Sequence, residues 1–221
     1  MGAHHDLPRS PKLTRAGLVL ISPDSGAVER IITLQYAAET LSRSLDVQAI
    51  ADEPDRSQPL RLTGPAIETI SVEAELDATD QLEFPDNNPD AAELGLFPVL
   101  SALETMLHPT TAQLERQNAQ AASGSFEITP AETPLALFVW SPNRVAPVRL
   151  TQLSITEEFF DPALNPIRAK VSLTLRVLSV DDLGFAHRGA GLFMAYLRSK
   201  ESFSGRYSGG DLSGLGLGGL P

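Results

Sequence analysis

The sequence predicts a mainly β fold with added helices, of the α+β class, arranged as one domain with appendages. Two segments alternate apolar and polar residues with the period of a strand, and a third has an apolar stripe at helical spacing. The residues predicted to point inward are Ile70, Val72, Ala74 and Leu76 in the first alternation and Ala169, Val171, Leu173, Leu175 and Val177 in the second. Each strand should therefore have one buried face and one face open to water or to a partner.

We predict a loose N-terminal lead over residues 1–16, followed by a β domain over residues 17–180. Residues 18–21 form an apolar run, and the Pro-Asp-Ser-Gly sequence at 23–26 is typical of a turn. A second strand with Ile32, Leu34 and Tyr36 on one face would complete a hairpin. The following residues 38–45 begin with a helical pattern, and residues 51–59 are charged and contain proline, which indicates an exposed loop.

The apolar spacing in the middle of the chain predicts one central helix over about 91–108. Pro109 would end this helix, and Pro98 would either kink it or mark where its regular part begins. Its apolar stripe comprises Leu96, Val99, Leu100, Leu103, Met106 and Leu107. Residues 110–125 are small and polar, which favours a flexible surface insertion. The strand after Pro134 is apolar on both faces, so it is either buried on both sides or buried on one side and in a subunit contact on the other.

The C-terminal part predicts a short amphipathic helix within 181–204, with Leu192, Phe193, Tyr196 and Leu197 on its apolar side. Residues 205–221 form a low-complexity Gly/Leu tail. Three of its glycines match the GxGxxG pattern, but that pattern needs a strand before it and a helix after it to bind a dinucleotide. A flexible tail, or one whose leucines contact a neighbouring subunit, is the better interpretation.

Composition excludes several classes of function. The 17 basic and 28 acidic residues give a net charge of −11, which disfavours nucleic-acid binding. The absence of cysteine excludes disulfides, thiolate metal sites and thiol nucleophiles. We expect neither a signal peptide nor a membrane span, and we expect synthesis in the cytoplasm.

The sequence has no nucleophile elbow, phosphate-binding loop or zinc-protease motif. His4 and His5 could hold a metal only weakly. The acidic group Glu157, Glu158 and Asp161 could in principle hydrolyse glycosides, but acids are common beside turns. We therefore predict no catalytic residues, no cofactor and no metal site.

Two segments resemble a known family. Residues 32–45, ITLQYAAETLSRSL, and residues 138–177, FVWSPNRVAPVRLTQLSITEEFFDPALNPIRAKVSLTLRV, are similar to the contractile injection system tube-protein N-terminal family of phage-tail-like particles. The segment LRLTGPAIETISVEAELDATDQLEF and the helix ending SALETMLHP also fit, so the resemblance covers roughly residues 18–178. The chain departs from the family where Ala37 and Ala38 replace an expected Asn-Pro, and it lacks the LysM module of many relatives.

The resemblance implies a tube-subunit-like β-sandwich or barrel that packs with a helix and assembles into a ring, with six copies as the family expectation. It further implies a tube initiator or adaptor at the inner baseplate, joining the inner tube, the spike or hub and the surrounding wedge proteins. The resemblance also implies a location within an assembled particle, which lysis would release from the cell. No membrane or nucleic-acid partner is implied.

Two alternatives stay open. The chain could be a cell-wall-binding or cargo-loading module of the same particle, with Arg168, Lys170 and Arg176 directed at the cargo, or, as a distant third, a cell-wall hydrolase. For subunit contacts we predict the hairpin tips over residues 141–146 and 161–166, the charged face of the last strand, and the C-terminal helix and tail. The predicted interface residues are Trp140, Asn143, Arg144, Asp161, Asn165, Arg168, Lys170, Arg176, Phe193 and Tyr196.

Overall fold

Seven strands form one antiparallel sheet in the computed structural model, which describes residues 15–22, 25–49, 61–122 and 133–219. The strands are β1 Ala16–Ile21, β2 Val28–Leu34, β3 Tyr36–Asp46, β4 Ile67–Asp77, β5 Leu135–Ser141, β6 Arg144–Phe160 and β7 Pro166–Val177. Their order in the sheet is β2-β1-β5-β6-β7-β4-β3. Four neighbouring pairs in the sheet, β1–β2, β3–β4, β5–β6 and β6–β7, are also neighbours in sequence.

Six helices accompany the sheet in the described residues. They are α1 Thr79–Leu82, α2 Pro89–Leu94, α3 Phe97–Glu104, α4 Thr111–Ala122, α5 Val180–Leu183 and α6 Arg188–Ser204, with 3-10 turns at Pro85–Asn87 and Leu212–Leu215. The mainly β fold with α additions is therefore confirmed. No helix in the described residues is both long and apolar enough to cross a membrane.

The two edges of the sheet meet through a single residue. Strands β2 and β3 lie at opposite ends of the strand order, yet only Gln35 separates them in the chain. Two successive peptide units span at most about 7 Å, so the ends of the edge strands must lie close together. The Gln35 side chain fixes the junction, because its Oε1 accepts a hydrogen bond from the Asp77 backbone amide at 3.1 Å. The sheet is thus curled like a barrel rather than split into two packed layers.

The core lies on the concave face of this sheet, where the predicted inward residues of β4 and β7 are buried. Two helices complete it from opposite ends of β4. Leu100 and Leu103 of α3 enter near the Asp77 end, while Phe193 and Tyr196 of α6 enter near Glu68. The predicted hairpin of β1 and β2 is also confirmed, with Leu18 opposite Ile32, but Tyr36, assigned to the second strand, instead begins β3.

The predicted single helix over 91–108 is instead two short helices broken at Gly95. This glycine has φ +58°, and a Cβ there would lie 2.4 Å from the Pro166 carbonyl oxygen. The next amide, that of Leu96, donates to the same oxygen at 2.9 Å. The helix therefore breaks where the backbone forms a hydrogen bond with the start of β7. Pro98 does not kink a helix, because it lies in the first turn of α3, where proline is tolerated.

The helical pattern predicted for residues 38–45 is wrong, because this segment belongs to β3. It pairs with β4, with Leu41 opposite Val72 and Arg43 opposite Ile70. The register shifts between Ala37 and Leu41. The open edge of β4 offers a full ladder of backbone hydrogen bonds, which outweighs a weak local helix preference.

Most of the predicted flexible insertion over 110–125 is the helix α4. Thr110 begins it with a reciprocal cap: its backbone amide donates to Gln113 Oε1 at 2.8 Å, and its Oγ1 accepts from the Gln113 amide at 3.2 Å. Alanine, glutamine, leucine and arginine, all good helix formers, fill the segment. None of its residues is buried, so the helix depends on local propensity.

The remaining domain boundaries are only partly visible. The predicted lead over 1–16 lies almost entirely outside the described residues, as do His4, His5 and residues 51–59. The C-terminal helix expected over 181–204 consists of α5 and the 17-residue α6, which is the longest helix described. Residues 205–219 of the predicted tail are exposed and contain one 3-10 turn.

Candidate interaction surfaces

The β6–β7 hairpin extends past its neighbour β5. Strand β6 has 17 residues, but its last pairing with β5 is Val148 with Ala136, whereas its pairing with β7 continues to Phe160. Within the described residues, the distal half of β6 therefore has a strand partner on one side only. Unpaired backbone N–H and C=O groups on such an edge can bind another strand.

The tip of this hairpin is a rigid turn built around Asp161. Its Oδ1 accepts from the backbone amides of Ala163 at 2.7 Å and Asn165 at 2.8 Å, and Asn165 Nδ2 donates to Oδ2 at 2.8 Å. The hydrogen bonds from the Asn165 backbone and side chain, with that from Ala163, hold the pKa of Asp161 below its usual value. Asn165 also donates to the Glu93 carbonyl at 2.9 Å, which anchors the tip to α2.

The rigid tip presents apolar side chains to solvent. Phe159, Phe160 and Leu164 are 65%, 49% and 74% exposed. Phe159 and Leu164 have positive φ values of 54° and 68°, which are uncommon for residues with a bulky side chain. Clustered exposed apolar groups of this kind mark candidate interaction surfaces.

The cations on the outer face of β7 have partners within the chain. Arg168 Nη2 lies 2.7 Å from Asp77 Oδ2, and Lys170 Nζ lies 2.9 Å from Glu158 Oε1. Hydrogen bonding to these carboxylates raises the pKa of Arg168 and of Lys170. Arg176 likewise pairs with Asp182, at 2.7 Å. The charges are thus already compensated, which weakens the interpretation that they bind an anionic cargo.

A second surface lies at the turn between β5 and β6. Trp140 is half-buried, with its ring centroid 6.0 Å from that of Phe138 in the core. Asn143 is exposed in the turn, and Arg144 is half-exposed beside it. The other face of β5 carries the half-exposed Leu137 and Val139, so this strand keeps apolar surface on both faces, as predicted.

Two of the predicted interface residues are wrong as exposed contacts. Phe193 and Tyr196 are each 5% exposed and pack into the hydrophobic core. The Tyr196 hydroxyl donates to Glu68 Oε1 at 2.9 Å, so its polar end is satisfied inside the chain. The sheet curls far enough for α6 to cover its concave face, and that curvature is invisible in a linear pattern.

The acidic residues considered for catalysis serve separate purposes. Glu158 is paired with Lys170, Asp161 builds the hairpin turn, and Glu157 is exposed on the other face of β6. A general acid needs a raised pKa, whereas the carboxyl groups with a clear shift in the described residues, Asp77, Asp161 and Asp211, are all shifted downward. No group of three or more metal-ligating side chains occurs in the described ranges.

Comparison with known proteins adds little to this geometry. No protein-family model matches the chain, and no curated protein is similar to it. Among solved structures, the chain is similar to a protein in the tail of an empty gene transfer agent particle with C6 symmetry, at 11% identity and a TM-score of 0.28, over 74% of this chain and 90% of that one. It is also similar to a protein in the virion of a native gene transfer agent particle, at 10% identity and a TM-score of 0.27, over 73% and 90%. Similarities this weak do not bear on function.

Sequence reasoning missed the two most distinctive features. The predicted hairpin tip over residues 161–166 includes Leu164 but leaves out Phe159 and Phe160, so the exposed apolar cluster was missed. The buried Glu68 lies on the same face of β4 as Ile70 and Val72, so the alternation itself could have identified it as inward-facing.

Proposed function

We propose that this protein is a structural subunit of a phage-tail-like contractile injection system. In this role it forms a ring, with six copies as the family expectation, at the inner baseplate where the tube begins. It initiates the inner tube and joins the tube, the spike and the baseplate wedges, without catalytic activity. The protein is made in the cytoplasm and is retained in the assembled particle.

One observation carries the proposal on the structural side: the long β6–β7 hairpin has an unpaired strand edge and a rigid apolar tip. The Arg168 guanidinium lies over the Phe159 ring, 5.2 Å from its centroid, but a solvated monomer gains nothing from exposing Phe160 and Leu164. Burial against a neighbour stabilises by about 25 cal/mol per Å² of apolar surface. The resemblance of residues 32–45 and 138–177 to the tube-protein family supports a phage-tail-like particle as the assembly.

The open sheet edges support the same conclusion. Strands β2 and β3 each have a strand partner on one side only in the described parts of the chain, and β2 exposes Val28 and Ile31. Edge strands of this kind are a liability in an isolated protein, and ring closure covers them.

The decisive test is incorporation into particles. Leu164→Asp places a charge at the apolar tip, and we expect it to abolish recovery of the protein in purified particles while leaving its circular dichroism spectrum unchanged. Leu114→Asp, at an exposed leucine of α4, is the matched control and should be incorporated normally. Normal incorporation of Leu164→Asp, or particles that contain no copy of the wild-type chain, would refute the proposal.

A further inference from the structure

The helical corner formed by residues 79–94 is strongly acidic. It contains Asp80, Glu83, Asp86, Asp90 and Glu93, all exposed, and residues 62–115 include no lysine or arginine. None of these five carboxylates makes an ion pair with another described residue. Phe84 lies among them and is 59% exposed. The corner therefore combines uncompensated negative charge with an exposed aromatic ring.

A concavity of opposite character lies beside α6. Its volume is about 220 Å³, and its lining includes Arg43, Asn143, Arg144, Tyr196, Lys200 and Phe203. Two of these cations pair with the buried Glu68: Lys200 Nζ lies 2.5 Å from its Oε2, and Arg43 Nη1 lies 3.4 Å from its Oε1. Three cations against one carboxylate leave the concavity positive, although the chain as a whole carries a net charge of −11.

Arg144 is the cation best placed to meet an incoming anion. It is only half-buried, and it makes no ion pair with any described residue. Phe203 is 44% exposed at the same opening. The arginine guanidinium can bind a carboxylate, and the exposed phenylalanine can pack against an aromatic ring. The opening therefore suits a segment that carries both groups.

The two surfaces lie at opposite ends of the molecule. Strand β4 begins at Ile67, beside Glu68 and the concavity, and ends at Asp77, directly before the acidic corner. At about 3.3 Å per residue the strand separates them by about 33 Å. A single chain therefore cannot bring its own corner into its own concavity, whereas a second copy can supply it.

We propose that copies of this chain bind head to tail, with residues 83–86 of one copy, Glu-Phe-Pro-Asp, seated in the positive concavity of the next. The contact is heterologous, so each copy keeps one free surface of each kind until a ring closes. Arg144 pairs with Glu83 or Asp86 of the second copy, and Phe84 contacts Phe203. This inference rests on the proposed function for its biological setting, but the contact itself belongs to the protein alone.

Charge exchange in the full-length protein tests the contact. Arg144→Glu and the double variant Glu83→Lys/Asp86→Lys should each weaken self-association, measured by sedimentation at low salt, by about tenfold or more, because like charges then face each other. Combining all three substitutions in one chain, or mixing the two variants in equal amounts, should restore it. Wild-type association should also weaken as salt is raised.

Arg198→Glu is the matched control, because Arg198 is exposed on α6 and does not line the concavity. It changes the net charge as Arg144→Glu does, and we expect it to leave association unchanged. An equal effect of both substitutions, no restoration by the combined variant, or a wild-type chain that stays monomeric at every concentration would overturn the inference. If the protein enters particles but its Arg144→Glu variant associates like wild type, the proposed function stands and this contact does not exist.

Discussion

Glu68 of β4 accepts a hydrogen bond from the hydroxyl of Tyr196 on α6, with 2.9 Å between Oε1 and Oη. The carboxylate is nearly fully buried, and its other oxygen forms an ion pair with Lys200. The Lys200 Nζ also lies 4.2 Å from the centroid of the Tyr196 ring. One buried acid therefore fixes α6, the longest of the described helices, to the sheet. A buried charge is tolerated only when its partners satisfy it, so these contacts are coupled.

The first prediction concerns this attachment. Tyr196→Phe removes one hydrogen bond to a buried charged group and should lower the free energy of unfolding by about 1–2 kcal/mol. Glu68→Gln should cost more, since it leaves Lys200 and Arg43 without their counter-ion, although both are about one-third exposed to water. Urea denaturation of both single variants and of the double variant gives the coupling free energy between Tyr196 and Glu68. Strictly additive effects would show that the two side chains act independently.

The second prediction concerns acid stability through Asp77. Burial tends to raise the pKa of this carboxyl, but hydrogen bonds from Thr79 and Arg168 outweigh it and hold the pKa below its usual value of 3.8. Because the folded-state pKa is depressed, the contribution to stability is present above about pH 4 and is lost as the pH falls through the folded-state value.

Asp77→Asn should therefore be less stable than wild type near neutral pH, and the difference should shrink as the pH falls below 3.8. Chemical denaturation at a series of pH values measures it. A difference that stays constant down to the lowest pH would contradict this explanation.

The third prediction compares two leucines. Leu173 is fully buried at the centre of β7, and Leu173→Ala should cost about 2–5 kcal/mol through lost burial and the resulting cavity. Leu164→Ala, at the exposed hairpin tip, should change the free energy of unfolding by less than about 0.5 kcal/mol. Thermal or urea unfolding checks both. A large destabilisation from Leu164→Ala would mean that the tip is structural and not a contact surface.

The fourth prediction compares two glycines with positive φ. Gly95 and Gly184 have φ values of 58° and 67°, so alanine is strained at both, but only at Gly95 would a Cβ meet another atom. Gly95→Ala should cost more than Gly184→Ala, by about 1–3 kcal/mol, because the Pro166 carbonyl must move. The same denaturation experiment decides it, and equal costs would show that the Pro166 contact relaxes freely.

Sequence alone was sufficient for strands with a strong alternation. The inward faces of β4 and β7 and the hairpin of β1 and β2 follow from period-two patterns and a turn sequence. It failed where tertiary contacts decide. Residues 38–45 become a strand because β4 offers an open edge, and the helix around Gly95 breaks because Pro166 accepts a hydrogen bond from the next residue.

The candidate surfaces were predictable only in part. Hairpin tips and turns could be located from Pro142, Asn143 and the Asp161–Asn165 turn, but exposure could not. Tyr196 lies on the apolar side of the predicted helix, so the pattern indicates a face to be covered but not whether the same chain or a neighbour covers it. The curvature of the sheet decides this, and Tyr196 is buried within its own chain. Curvature depends on pairings between residues far apart in sequence, and no local pattern encodes it.

The position of β1 between β2 and β5 affects how the chain can fold during synthesis. Leu18 pairs with Ile32 in the nearby hairpin, but its other neighbour, Phe138, follows 120 residues later. At about 5–20 residues per second, translation leaves that side of β1 without its partner for several seconds or longer. Pairings so distant in sequence also fold slowly. We therefore expect nascent chains truncated before β5 to aggregate or to recruit chaperones, and the complete polypeptide to acquire its structure only after the last third has emerged.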